Sequence, residues 1–305
     1  MLISDRALTD KPERPGALNA ERHILLSPYS PGNKYDIISA EAMSMNEVNR
    51  TLYIPLYGKS YVSRKGIILH DPKAETIWAK EGFPLRGKSK SKWLAYYMGM
   101  RASVFDEWLQ GELKRHPDAI VIHIGCGMDS RCERVQGKVS AWYDIDFPEV
   151  IVERRRYYTE SDAYHMLPAD AQTTEWIADL PFGHAIVVME GVSMYLQEHA
   201  LMNLLRALSA HFISVSLLMD CYTTFAAKAT KYKNPINEVG VTTVYGVDDP
   251  HVYEDQTGFA FAREHNMTPP ERIAELSGME RWVFSKLFAG KFAKKIYRLY
   301  EYRKA

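Results

Sequence analysis

The stretch that decides the fold is Ala119-Ile120-Val121-Ile122-His123-Ile124-Gly125-Cys126-Gly127-Met128-Asp129-Ser130-Arg131. A short apolar run passes straight into glycines, and a polar, helix-starting segment follows. Glycines at 125 and 127 remove the β-carbons that would keep the backbone away from a bound nucleoside. The dinucleotide fingerprint needs a third glycine, and Ser130 stands there instead, with no other pyrophosphate cradle nearby. About 20 residues on, the next apolar run ends in Asp144-Ile145-Asp146, an acidic tip of the kind that ribose hydroxyls require. These residues point to a nucleoside without a diphosphate, of which S-adenosylmethionine is the common one.

Working outward, apolar runs at Ala119–Ile124, Ser140–Ile145, Tyr164–Ala169, Ala185–Met189 and Phe212–Met219 alternate with amphipathic helices near 147–159, 173–179 and 197–210. That alternation predicts a parallel sheet covered on both faces. A polar and aromatic stretch, 222–268, interrupts it. A short helix near 270–277 and two closing strands near 281–288 and 294–303 are expected after it. Upstream, helical patterns lie around 46–57, 71–81 and 91–110, and Asp71-Pro72 makes a helix start with Asp as cap and Pro in the first turn. Residues 1–45, with Pro12, Pro15, Pro28 and Pro31 and little periodicity, read as an extended arm. The expected organisation is that arm followed by one domain over 46–305, with a helical cap from 46–115 and 222–268.

Composition narrows the function classes. Lys+Arg and Asp+Glu each count 38 in 305 residues, so no basic excess favours nucleic acid or anionic lipid. No apolar stretch approaches the length of a bilayer span, and Asp5, Arg6, Asp10 and Lys11 break any secretory core. A cytoplasmic protein acting on a small molecule is the expectation. Cys126, Cys132 and Cys221 form neither a disulfide framework nor a zinc knuckle. The cluster Asp248, Asp249, His251, Glu254 and Asp255 fits no metal loop and reads as polar surface, so no metal is expected. Arg154-Arg155-Arg156, Asp106 and Glu107 read as solvated faces. Asp129 reads as a cap for the following helix, with Arg131 paired to it or to Asp144.

Several motifs follow one another in order. They begin with Thr51-Leu52-Tyr53-Ile54-Pro55-Leu56-Tyr57-Gly58-Lys59, Asp71-Pro72-Lys73-Ala74 and Arg101 ahead of Phe105-Asp106. They continue with the glycine turn, Asp144-Ile145-Asp146-Phe147-Pro148-Glu149-Val150-Ile151, Asp170 ahead of Trp176, and Met189-Glu190-Gly191-Val192-Ser193-Met194-Tyr195-Leu196. Together they resemble the family that joins leucine carboxyl methyltransferases with the tetracenomycin-type polyketide O-methyltransferases. The resemblance runs from about Thr51 onward. It implies a class I S-adenosylmethionine-dependent methyltransferase fold: a Rossmann-like sheet of seven strands, mostly parallel, closed by an antiparallel hairpin.

The resemblance also implies site roles. Gly125, Cys126 and Gly127 would line the cofactor, with Cys126 standing where Ala is usual. Asp146 would bind the ribose hydroxyls, with Asp144 as competitor on the same strand face. Asp170 and the backbone of Ala171 would meet the adenine. Arg101 would grip the methionine carboxylate with both arms of its fork. Glu190 would sit at the cofactor's amino end, and Lys59 at the carboxylate or the substrate mouth. Trp142 and Trp176 read as core aromatics. The activity implied is O-methylation of a small-molecule or natural-product acceptor, most simply a carboxylate giving a methyl ester. A phenolic hydroxyl and a non-catalytic cofactor-binding protein are the alternatives, and an NAD oxidoreductase rests on the strand-glycine-acid pattern alone.

Overall fold

Strand-forming residues in this chain alternate between two helical layers. Ile120, Ile122 and Ile124 pack on one face with Leu201, Leu204, Leu205 and Leu208. Val121, Ile186, Val188 and Leu218 pack on the other with Val104, Phe105 and Trp108. Successive side chains point to opposite faces of a strand, so runs that are apolar throughout are what a sheet covered on both sides requires. In the computed structural model, residues 49–81, 85, 87–230 and 243–305 are described. The arm expected over 1–45 lies outside them.

After a short 3-10 turn, Asn49–Leu52, come α1 (Tyr53–Arg64), α2 (Pro72–Glu81) and α3 (Lys92–Arg115). The sheet then alternates with helices: β1 (Ile120–Ile124), α4 (Arg131–Arg134), β2 (Ala141–Asp146), α5 (Pro148–Arg154), β3 (Tyr164–Pro168), β4 (His184–Met189), α6 (Glu198–His211), β5 (Ser214–Tyr222) and α7 (Thr224–Ala229). The last elements are α8 (Glu254–Thr257), β6 (Ala260–Glu264), α9 (Pro270–Ala274), α10 (Gly278–Leu287), α11 (Gly290–Lys294) and β7 (Tyr297–Lys304). The sheet order is β3-β2-β1-β4-β5-β7-β6. The first five strands run parallel, and β7 is antiparallel to both β5 and β6. This is the class I methyltransferase architecture.

Local chemistry sets the helix starts. The Asp71 carboxylate accepts from the Ala74 N–H at 2.9 Å and caps α2, and the Ser91 hydroxyl accepts from the Trp93 N–H at 3.3 Å to cap α3. Trp142 and Trp176 are buried in the core, as their sequence context predicts.

One expected strand is a helix. Residues 281–287 belong to α10, with Phe288 as its C-cap, and the second antiparallel strand is Ala260–Glu264. Leu276, Phe284 and Phe288 pack together against Tyr96 and Met100; their four-residue multiples are a helical period, which the β-branched and aromatic content of Trp282-Val283-Phe284 disguises. The antiparallel pair is therefore joined by residues 265–296 and not by a tight turn. None of the described helices is long and apolar enough to cross a membrane.

Candidate functional site

The carboxyl edge of the parallel strands opens into a cavity of about 1170 Å³. Pockets for one drug-sized ligand run to roughly 1,000 Å³, so this volume has room for two reactants side by side. Lys59, Arg101, Gly125, Cys126, Gly127, Asp146, Asp170, Ala171 and Glu190, all singled out from the sequence, line it together.

The glycine turn forms the floor. Gly125 has φ +68°, and a β-carbon on it would lie 2.1 Å from Val192 Cγ2. Only glycine fits that conformation and that approach. Gly127 has φ +50°, and its N–H donates to Asp146 Oδ2 at 2.7 Å. Cys126 between them is buried, and its desolvated thiol is pushed well above the ordinary cysteine range.

The two acids of β2 part ways. Asp144 is fully buried and lies away from the cavity. It pairs with Arg154, accepts from Trp142 Nε1 at 2.9 Å and the Tyr164 hydroxyl at 2.7 Å, and meets His123 Nδ1 at 3.1 Å. Burial works to raise its pKa, but the Arg154 charge and the His123 hydrogen bond outweigh it and hold the carboxyl at about 2. Asp146 stands at the strand tip. Its donors among the described residues are the N–H groups of Gly127 and Phe147, the latter at 2.8 Å. Desolvation dominates there and pushes the carboxyl up to about 6. Arg154 is thus no solvated residue: it is completely buried as the counter-ion of Asp144.

A buried charge cluster closes the other wall. Arg101 donates Nε–H to Glu190 Oε1 at 3.1 Å, and its Nη2 lies 3.0 Å from the same oxygen. Its Nη1 donates to Asp220 Oδ2 at 2.8 Å and to the Tyr297 hydroxyl at 3.0 Å. A guanidinium has five N–H donors, so one remains for a ligand. The two-armed grip expected from the sequence is shared here between Glu190 and Asp220. The Lys59 ammonium, 2.8 Å from Asp129, faces the same cavity with further donors. Glu190 also pairs with Arg131; burial would raise its carboxyl, but Arg131 and Arg101 hold it at about 2.

Arg131 itself pairs with Asp106 at 2.7 Å and Asp129 at 3.3 Å, and not with Asp144. Asp129 does cap the turn, accepting from the Arg131 N–H at 3.0 Å. Asp106 departs from the expected solvated role, because Arg131 and Arg134 enclose it; Glu107 stays on the surface beside Arg272. Asp170 accepts from the Gln172 N–H at 2.9 Å, which shapes its turn at the cavity wall.

Sequence reasoning missed Asp220 and Tyr297, whereas Tyr222 belongs to the aromatic stretch 222–268 that it marks as a cover. An acid closing the apolar run Leu217-Leu218-Met219-Asp220 is a readable signal, since a charge there must find a buried partner. No comparable signal marks Tyr297. Of the aromatics in 222–268, Tyr222 and Phe225 line the cavity, while Tyr253, Phe259 and Phe261 pack into or against the core. Tyr232 lies outside the described residues.

With this geometry in view, comparison with known proteins is decisive. The leucine carboxyl methyltransferase family matches residues 39–209, more than half of the chain. The chain belongs to that family. It is therefore an S-adenosylmethionine-dependent methyltransferase. Among curated relatives, the tetracenomycin polyketide synthesis O-methyltransferase TcmP of Streptomyces glaucescens is 29% identical over 250 residues, covering 80% of this chain and 92% of that protein. The S-adenosyl-L-methionine-dependent methyltransferase dpfgK of Gibberella zeae is 28% identical over 183 residues, covering 55% of this chain and 61% of the other. A magnesium protoporphyrin IX methyltransferase from Synechocystis PCC 6803, solved with S-adenosylhomocysteine, aligns with TM-score 0.45 and 14% identity over 77% of this chain and 94% of its own.

The donor set of this leucine carboxyl methyltransferase homologue fits the family's cofactor. The glycine turn leaves space that a β-carbon would fill, Asp146 has lone pairs to spare for a diol, and acids and cations alternate where a zwitterionic amino acid would lie. Elsewhere, Glu112, His116 and His184 bring ligand atoms within 4.8 Å of one another, but both Glu112 oxygens are taken by Arg303, Arg115 and Ser216. A cation there would have to compete with those ion pairs for Glu112.

Proposed function

We propose that this protein methylates a carboxylate of a small-molecule acceptor and releases a methyl ester. The observation that carries the reading is the makeup of the cavity beyond the charge cluster. There the walls are Trp93, Tyr97, Tyr195, Tyr222, Phe225, Phe288 and Tyr297, none of which carries an imidazole or a carboxylate; the lining imidazole among the described residues is that of His123. His123 is committed on both ring nitrogens, to Asp144 and to Arg131 at 3.2 Å. A carboxylic acid with pKa near ~4 is already ionised at neutral pH and needs no base, whereas a phenol near ~10 does. The relative from Streptomyces glaucescens, named for O-methylation in polyketide synthesis, agrees with an oxygen acceptor on a small molecule.

S-adenosylmethionine supplies a methyl carbon already activated by its sulfonium. In this reading Asp146 accepts from the ribose hydroxyls, and Gly125, Cys126 and Gly127 let the nucleoside lie against the backbone. Asp170 and Ala171 border the base. Lys59 and the remaining Arg101 N–H hold the amino-acid carboxylate, and Glu190 takes the ammonium. The aromatic wall excludes water and aligns the acceptor oxygen. The described parts of 46–115 and 222–268 act as its cover, since α1, α3 and α7 all contribute to the lining.

Transfer of labelled methyl to a panel of aromatic acids and phenols tests the proposal. The product should release its label as methanol under mild alkali, as an ester does. An alkali-stable label, the mark of an ether, would overturn the carboxylate assignment.

A further inference from the structure

Nearly every polar group facing the cavity already has a protein partner. Tyr297 accepts from Arg101, Tyr195 is hydrogen-bonded to Thr51, and Thr230 donates to the Ala227 carbonyl at 2.7 Å. Tyr97 reaches only the Met267 sulfur, at 3.8 Å. Tyr222 differs. It ends β5, two residues past Asp220, and lines the cavity with its ring edge-on to Tyr297 at 4.7 Å between centroids. Its carbonyl accepts from the Val247 N–H at 2.7 Å, but its hydroxyl has no hydrogen-bond partner among the described residues. A hydroxyl without a protein partner that borders the cavity is a donor available to a ligand.

We propose that the Tyr222 hydroxyl donates a hydrogen bond to the acceptor's carboxylate and holds one oxygen so that the other faces the methyl carbon. The inference rests on the carboxylate reading given above. Burial, together with the neighbouring Tyr195 and Asp220, raises the phenol well above its ordinary range and outweighs the opposing charge of Arg101, so it stays a donor at neutral pH. In the transfer, the attacking oxygen gives its electron pair to the methyl carbon. The carbon–sulfur bond breaks with its pair going to sulfur, and Tyr222 keeps its proton. No base and no further reactant is consumed.

Tyr222→Phe tests this without disturbing the ring packing. Benzoic, 2-naphthoic and 2-anthroic acids, with 2-naphthol as the uncharged comparison, are titrated calorimetrically into the S-adenosylhomocysteine complexes of wild type and variant. The expected result is about a tenfold loss of affinity for the acid that binds wild type best. Affinity for S-adenosylhomocysteine should stay unchanged, and the loss should appear in KM more than in kcat. An acid that binds both proteins equally overturns the role of Tyr222 and leaves the carboxylate reading standing. A wild-type protein that binds or methylates 2-naphthol and none of the acids overturns both. Failure of the wild type to bind any of the four compounds would likewise tell against both.

Discussion

Two clusters of buried charge sit at different levels of one sheet, and one of them lines the large cavity at the strand tips. At the amino end, Glu112 from α3 is bound by Arg303 of β7, by Arg115 and by Ser216 of β5, while Glu301 is bound by Arg263, His265 and Arg303. At the carboxyl end, Arg101 of α3 is bound by Glu190 and Asp220, and Glu190 by Arg131. The same helix thus presents an acid to one end and a cation to the other. At the amino end neither Glu112 nor Glu301 lines the cavity. At the carboxyl end, donors on Arg101 and Lys59 are left over and face it. Burial of charge alone does not mark a site; unspent hydrogen-bonding capacity beside open volume does.

The largest expected effect breaks the symmetry between the clusters. Arg101→Ala leaves the buried Asp220 without its counter-ion, which typically costs about 3–5 kcal/mol; Arg303→Ala should cost less, because its side chain is 34% exposed and Glu112 and Glu301 keep Arg115, Arg263 and His265. Denaturant midpoints should fall in both. Cofactor affinity, read by calorimetry with S-adenosylhomocysteine, should fall only in Arg101→Ala; an equal fall in Arg303→Ala would erase the distinction. Next comes Gly125→Ala. A left-handed φ and a β-carbon inside Val192 should weaken cofactor binding about a hundredfold, and normal affinity in that variant would show that the turn does not hold the nucleoside.

The two ends should also titrate in opposite senses. Asp146 is raised to about 6, chiefly by desolvation, so the folded apo protein keeps a proton that the unfolded chain releases near pH ~4. Its contribution to stability therefore falls as pH rises from about 4 to 6. If Asp146 accepts from the ribose hydroxyls as proposed, cofactor binding should weaken about tenfold between pH 7 and pH 5. Asp146→Asn should flatten that profile. His184 at the amino end is lowered to about 4 by burial and by His116. The unfolded chain takes up that proton below about 6.5, so this contribution is lost as pH falls from about 6.5 to 4. His184→Gln should remove it without touching cofactor affinity. The smallest effect belongs to Asp170→Asn, where the turn hydrogen bond to Gln172 can persist; a two- to fivefold loss of cofactor affinity, about 0.4–1 kcal/mol, is expected.

What was legible in the sequence follows from which interactions are local. The glycine turn, the cap of α2 and the first five strands show because each depends on neighbours in the chain. Asp144 and Asp146 look equivalent in sequence, and only packing separates them: the first meets Arg154 and Tyr164 from other elements, while the second reaches past the strand end. Asp106 and Arg154 read as surface charges because their partners are distant in the chain. The closing strand was misplaced for two reasons. β6 is an exposed edge with little alternation, and α10 carries residues with strand-like preferences whose fate is set by Tyr96 and Met100.

The position of β7 has a consequence for biosynthesis. This strand slots between β5 and β6 and brings Tyr297 to Arg101, although it follows the other described elements in chain order. Until the ribosome has released residues 297–304, the edge of β5 stays unsatisfied, β6 has no neighbour, and the guanidinium lacks one of its anchors. A nascent chain would therefore spend its emergence as an incomplete sheet in need of shielding, and competence to hold ligand would arrive in one late step.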